Sequence, residues 1–138
     1  VVVLVEGVAV KWLNRSLVDG PCLALVLSEP DYHRAMSAFK VPLSQRDPWI
    51  KTEHADATAH ILEHQELGMA VVVALRVREG IDGVQIAGLL VHEAVHAFQH
   101  FCERIGENRP SHEFEAYSIQ AIAQRLMASY AEQTGGRQ

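Results

Sequence analysis

The stretch MAVVVALRVREGIDGVQIAGLLVHEAVHAFQHFCER, Met69–Arg104, carries a strand, a turn and a helix in succession, and the rest of the chain is read outward from it. Val71, Val72 and Val73 are consecutive and β-branched, which favours a strand buried on both faces over Met69–Val77. Gly80-Ile81-Asp82-Gly83 ends that strand. Asp82 is a natural N-cap and Gln85 follows three residues later, the pattern of a capping box. Apolar residues then recur with helical spacing at Leu89, Val91, Val95, Phe98, Phe101 and Cys102. A helix is therefore predicted to about Arg104, with Gly106 at its C-terminal end.

Downstream, Pro110-Ser111 opens a second helix through about Ala131, with an apolar stripe at Ile119, Ile122, Ala123, Leu126 and Tyr130. Upstream, Thr58–Glu63 reads as a strand joined to Met69–Val77 by a hairpin loop at Gln65–Gly68. Pro30-Asp31 opens a short helix to about Phe39, and Pro42 and Pro48 punctuate a loop that carries Trp49. Val1–Trp12 and Cys22–Leu27 are apolar runs on either side of the Asp19-Gly20-Pro21 turn, which suggests a hairpin; a buried helix over Val8–Val18 is the alternative. The expected strands all precede Arg78 and the two long helices follow Asp82, so the class is α+β, a small antiparallel or mixed sheet with helices. One domain is expected over residues 1–133, with a fraying tail at 134–138.

The 138 residues are 49% hydrophobic and 21% charged, a globular balance that rules out a mainly disordered chain. A net charge of −5 argues against a nucleic-acid binder. No apolar run approaches the roughly 20 residues needed to span a bilayer. Val1–Val5 lacks a preceding basic region and stops at Glu6, so it reads as a strand and not as a signal peptide. Cys22 and Cys102 lie too far apart in sequence to suggest a disulfide framework and suit a reducing cytoplasm.

Within the long helix, His92-Glu93-Ala94-Val95-His96 is an HExxH motif. Residues four apart lie one turn above each other, so both imidazoles can reach one ion, and neutral imidazole suits zinc. Glu93 is poorly directed for that ion and well directed for a water beside it, the place of a general base. Leu89, Val95 and Phe98 flank the histidines, so this helix face is expected to be half buried. A catalytic zinc needs a third protein ligand and an open position. Glu113 and Glu115 are offered by the next helix, two residues and roughly 200° apart. Projecting the stripe backwards from Leu126, Ile122 and Ile119 lands on Glu115, the better candidate, with Glu113 as the alternative. Glu103 shares the face of His96 but lies about 10 Å along the axis, too far for the same ion. His100 reads as a surface histidine, with support of the metal ligands as the alternative, and Tyr117 as a helix-packing residue, with donation to a reaction intermediate as the alternative. His60 and His64 share one strand face and read as exposed; a second metal or an oxyanion contact is the other use for them.

The HExxH motif, with Glu115-Ala116 on the following helix, resembles the gluzincin group of zincin metallopeptidases. The 18 residues between His96 and Glu115 are similar to the spacing of their aminopeptidase branch. The resemblance covers about Ala70–Ala131. It implies a "minigluzincin" core, in which a twisted sheet packs on the HExxH helix and a following ligand helix. By resemblance, one zinc would be held by His92, His96 and Glu115, with Glu93 as general base and acid acting on a peptide or protein substrate. No exopeptidase motif accompanies the site, so the aminopeptidase substrate class does not transfer. His92–Gln120 also resembles small phage and prophage proteins with HEAxH and a later Glu-Ala-Tyr, which would place the protein in a host cytoplasm. The competing expectation is a binding or inhibitory protein of phage type on a zincin scaffold, with a host-protein target and a structural or vestigial zinc. A helical regulatory module without metal is a third.

Overall fold

The computed structural model describes residues 20–135. In chain order they form β1 (Cys22–Val26), α1 (Glu29–Ala38), a 3₁₀ turn at Leu43–Gln45, β2 (Ala57–His64), β3 (Gly68–Leu75), α2 (Gly83–Ile105) and α3 (His112–Gln133). The expected pairing of Val1–Trp12 with Cys22–Leu27, the alternative helix over Val8–Val18 and the last three residues of the tail lie outside the described residues. The sheet has the order β1-β3-β2, with β1 parallel and β2 antiparallel to β3. The fold is thus α+β around a small mixed sheet.

β3 is central because its sequence can lose water on both faces. Met69–Leu75 is buried throughout. Met69, Val71, Val73 and Leu75 point into a core shared with Leu25 of β1, Ile86, Leu90, Ala94, Ala97 and Phe101 of α2, and Ala123 and Leu126 of α3. Val72 and Ala74 point the other way, against Tyr32 and Met36 of α1 and Ile50. The period of two along a strand thus assigns each side chain to one of two layers. The strand ends at Leu75, two residues short of the expected Val77, which is exposed.

The β2–β3 hairpin is tighter than expected. Gly68 sits inside β3 with φ 82°, a left-handed conformation that glycine adopts without a Cβ clash. His64 closes the loop as its Nδ1 accepts the backbone N–H groups of Glu66 and Leu67 at 3.1 and 3.3 Å.

α2 starts and stops where its sequence signals lie. The Gln85 N–H donates to Asp82 Oδ1 at 2.8 Å, and the Asp82 N–H donates to Gln85 Oε1 at 3.0 Å. At the other end Gly106 takes φ 75°, and the following N–H of Glu107 donates back to Cys102 O at 2.9 Å. The buried stripe is rotated from the expected one. Ile86, Leu90, Glu93, Ala94, Ala97, Phe98, Phe101 and Cys102 are buried, whereas Leu89 and Val95 are only partly covered and Val91 is exposed. Alanines at 94 and 97 let the helix lie close on the sheet, so small residues rather than the larger valines fill the contact.

α3 is N-capped by Ser111, whose hydroxyl accepts the Phe114 N–H at 3.3 Å. It returns along α2 and buries Ala123 and Leu126, with Ile119, Ile122 and Tyr130 packed against the same core. Near its end the Gln133 amide donates to Leu25 O at 2.9 Å and ties α3 to β1. Among the described residues no helix is long and apolar enough to cross a membrane.

Candidate active site

The HExxH turn of α2 lies at the middle of the helix, where it passes β2. His92 and His96 are one turn apart and their rings converge, with the two Nε2 atoms 3.1 Å apart and the ring centroids at 4.8 Å. Two nitrogens on one tetrahedral zinc, each at about 2.0–2.1 Å from it, stand roughly 3.3 Å apart. The pair therefore fits a single ion with little adjustment. His96 Nδ1 lies 3.2 Å from Gln99 Oε1. With the proton on Nδ1, that contact orients the ring and leaves Nε2 as a donor to metal. Both histidines are exposed, which corrects the expected half-buried face: the tilt that buries Glu93 turns its neighbours outward.

Glu93 is the unusual member. It is 5% exposed and belongs to the face of α2 that meets the sheet. Burial pushes its carboxyl pKa up, against the opposing pull of the His92 and His96 imidazoles, a backbone hydrogen bond from Ala59, and His60. The Ala59 amide is available for a structural reason. Arg76 N donates to Asp56 O across the hairpin, so the pairs that exchange ladder bonds are Asp56/Arg76 and every second pair after it. Ala59 and Ile61 fall between, and their N–H and C=O groups point outward. Among the described residues β2 has no strand on that side. The edge of the sheet thus reaches the HExxH helix at Glu93.

Glu113 and Glu115 sit in the exposed first turn of α3. Among the described residues no third His, Cys, Asp or Glu joins His92 and His96 in a group able to hold a metal. Glu115 stands instead near Cys102. Burial raises that thiol's pKa, and the Glu107 and Glu115 carboxylates raise it further. The expected inward stripe therefore begins later than projected, at Ile119. The first turns of α3 overhang the C-terminal part of α2, with the Phe114 ring against Phe98 at 5.6 Å.

Tyr117 is 66% exposed rather than packed in the helix interface. His100 is exposed, as expected, and lies 3.5 Å from Glu103. His60 is not an exposed strand histidine: it is buried, bonds the Trp49 carbonyl at 2.9 Å through Nε2 and packs on Tyr32. It lies on the sheet face opposite α2, away from the HExxH pair. Two participants escaped the sequence reading. Gln99 was within reach, since it lies three residues after His96 on the same helix face. Ala59 carries no sequence signal, because its contribution is a backbone amide placed by tertiary structure. In comparisons with known proteins the chain matches no family model, no curated protein and no solved structure.

Proposed function

We propose that the chain is a zinc-dependent peptidase of gluzincin type, with a minigluzincin-like core formed by the sheet, α2 and α3. The observation that supports this best is the setting of Glu93, a buried carboxylate beside two converging imidazoles and an outward amide of the sheet edge. Zinc, held by His92 and His96, would supply the Lewis acidity that polarises a carbonyl and makes water nucleophilic near neutral pH. Glu93 accepts the proton of that water and passes it to the leaving amine. Gln99 holds the His96 ring in the tautomer the site needs. The outward N–H and C=O groups of β2 pair with an extended peptide backbone and present its carbonyl to the helix. Glu115 remains the proposed third ligand on its 18-residue separation from His96. A reducing cytoplasm agrees with two free cysteines.

The test is zinc titration of chelator-treated protein together with a peptide-library cleavage screen. Wild type should cleave, and Glu93→Gln should bind zinc yet cleave slower by about 10²–10⁴-fold. Equal cleavage by both proteins refutes the role of Glu93. One observation favours a second reading, a binding protein that keeps the scaffold: among the described residues no third ligand stands beside the histidine pair. In that case neither protein cleaves, and partner binding survives the substitution.

A further inference from the structure

A cavity of about 410 Å³ opens on the other side of β2 from α2, between that strand, α1 and the loop leading to Trp49. Its floor is apolar and includes Tyr32, Met36 and Leu62, while Arg46, Asp47 and Lys51 line it as charged groups. Two basic residues and one acidic residue thus line it in a chain whose net charge is −5. Neither Arg46 nor Lys51 has an ion-pair partner among the described residues. The Arg46 guanidinium is held by neutral acceptors, the carbonyls of Val41 and His33 and the hydroxyl of Ser37, so its donors are occupied and its charge is not neutralised. Lys51 is exposed, and among the described residues no carboxylate pairs with it. A concave wall concentrates such a field.

The cavity also shares residues with the proposed substrate edge, since Thr58–Leu62 line it. Thr58, His60 and Leu62 belong to the α1 side of β2: the Thr58 hydroxyl accepts the Lys51 N–H, His60 packs on Tyr32, and Leu62 joins the α1 core. A peptide strand added to the outer edge continues the pleat, so every second side chain projects to this side. We propose that this cavity is a side-chain subsite that selects an acidic residue in a peptide laid along β2. The inference rests on the peptide-binding edge of the proposed function. The carboxylate would meet Lys51 in the field of Arg46, and its stem would lie over Tyr32 and Met36.

The experiment measures fluorescence-anisotropy binding of labelled ten-residue peptides to zinc-loaded Glu93→Gln, with a single Glu, Asp, Lys or Ala scanned through each position. At one position an acidic residue should bind roughly fivefold tighter than alanine, the size of a partly exposed ion pair, and lysine should bind weaker than alanine. Adding Lys51→Glu should invert that order, and adding Asp47→Asn should sharpen it. The Asp47→Asn arm keeps the test decisive if Lys51→Glu folds poorly. No binding by any peptide, no charge preference at any position, or a preference unmoved by both substitutions overturns the subsite. The same peptides given to wild type separate the two ideas. Cleavage without charge preference removes the subsite and leaves the peptidase. Charge-selective binding by a protein that cleaves none of them supports the subsite and removes the peptidase.

Discussion

Glu93 is held against its own solvation: a carboxylate on the buried face of α2, where a neutral residue would cost less. Its folded pKa is raised, so its contribution to stability is fullest below the unfolded carboxylate pKa and is lost as pH rises through the folded value. In metal-free protein Glu93→Gln should therefore gain melting temperature over wild type as pH rises from about 4 to 7, with little difference at the acidic end. The groups that act on the carboxylate are His92, His96 and the Ala59 amide, with His60 from across the sheet, and all of them oppose the shift. Melts in chelator across that range check this, and a constant gap would show that the carboxylate is not penalised by burial. The motif singled out Glu93 as the candidate general base. That it is buried while both histidines are exposed was not legible there, because the large apolar neighbours Leu89 and Val95 suggested a different rotation of the helix.

At the level of elements, α2 is the most locally determined part of the chain. Its capping box satisfies donors that the helix itself leaves open. Asp82→Ala should cost about 1 kcal/mol, and Gln85→Ala less, measured by denaturant unfolding. α3 is determined more by what it packs on. Its buried positions Ala123 and Leu126 lie in its second half, and its first turn is exposed. If Glu115 is the third ligand, Glu115→Ala should weaken zinc binding at least tenfold while Glu113→Ala leaves it nearly unchanged, read by competition with a chromogenic chelator. Equal effects would mean that neither carboxylate of the first turn reaches the ion. Projecting an apolar stripe backwards fails here because a stripe lasts only as long as there is a core to face. Beyond Ile119 the helix overhangs α2, and the pattern no longer reports burial.

Across the whole molecule, stability comes from two layers on one central strand. Leu90 is fully buried between the sheet and α3, and Leu90→Ala should cost about 2–5 kcal/mol in a cooperative unfolding transition. This core does not involve the histidine pair, so chelator-treated protein should stay folded. Zinc should raise its stability by about 4 kcal/mol at a thousandfold excess over the dissociation constant, and by less as pH falls, since protons compete with the metal. Melts with and without chelator distinguish this from a protein that unfolds when metal is removed. The sequence by itself determined what short-range physics controls: the doubly buried strand around Val71–Val73, the capped start and glycine stop of α2, and the convergence of His92 on His96. Each follows from residues within about one turn or one strand of each other. Tertiary structure alone decided the rest: that Cys22–Val26 joins β3 in parallel, that the Ala59 amide is near enough to Glu93 to act on its carboxyl, that His60 is buried against Tyr32, and that Arg46 and Lys51 share a cavity with the edge of β2. Most of those contacts join residues tens of positions apart, and the periodicity of one segment carries no record of which distant segment will cover it.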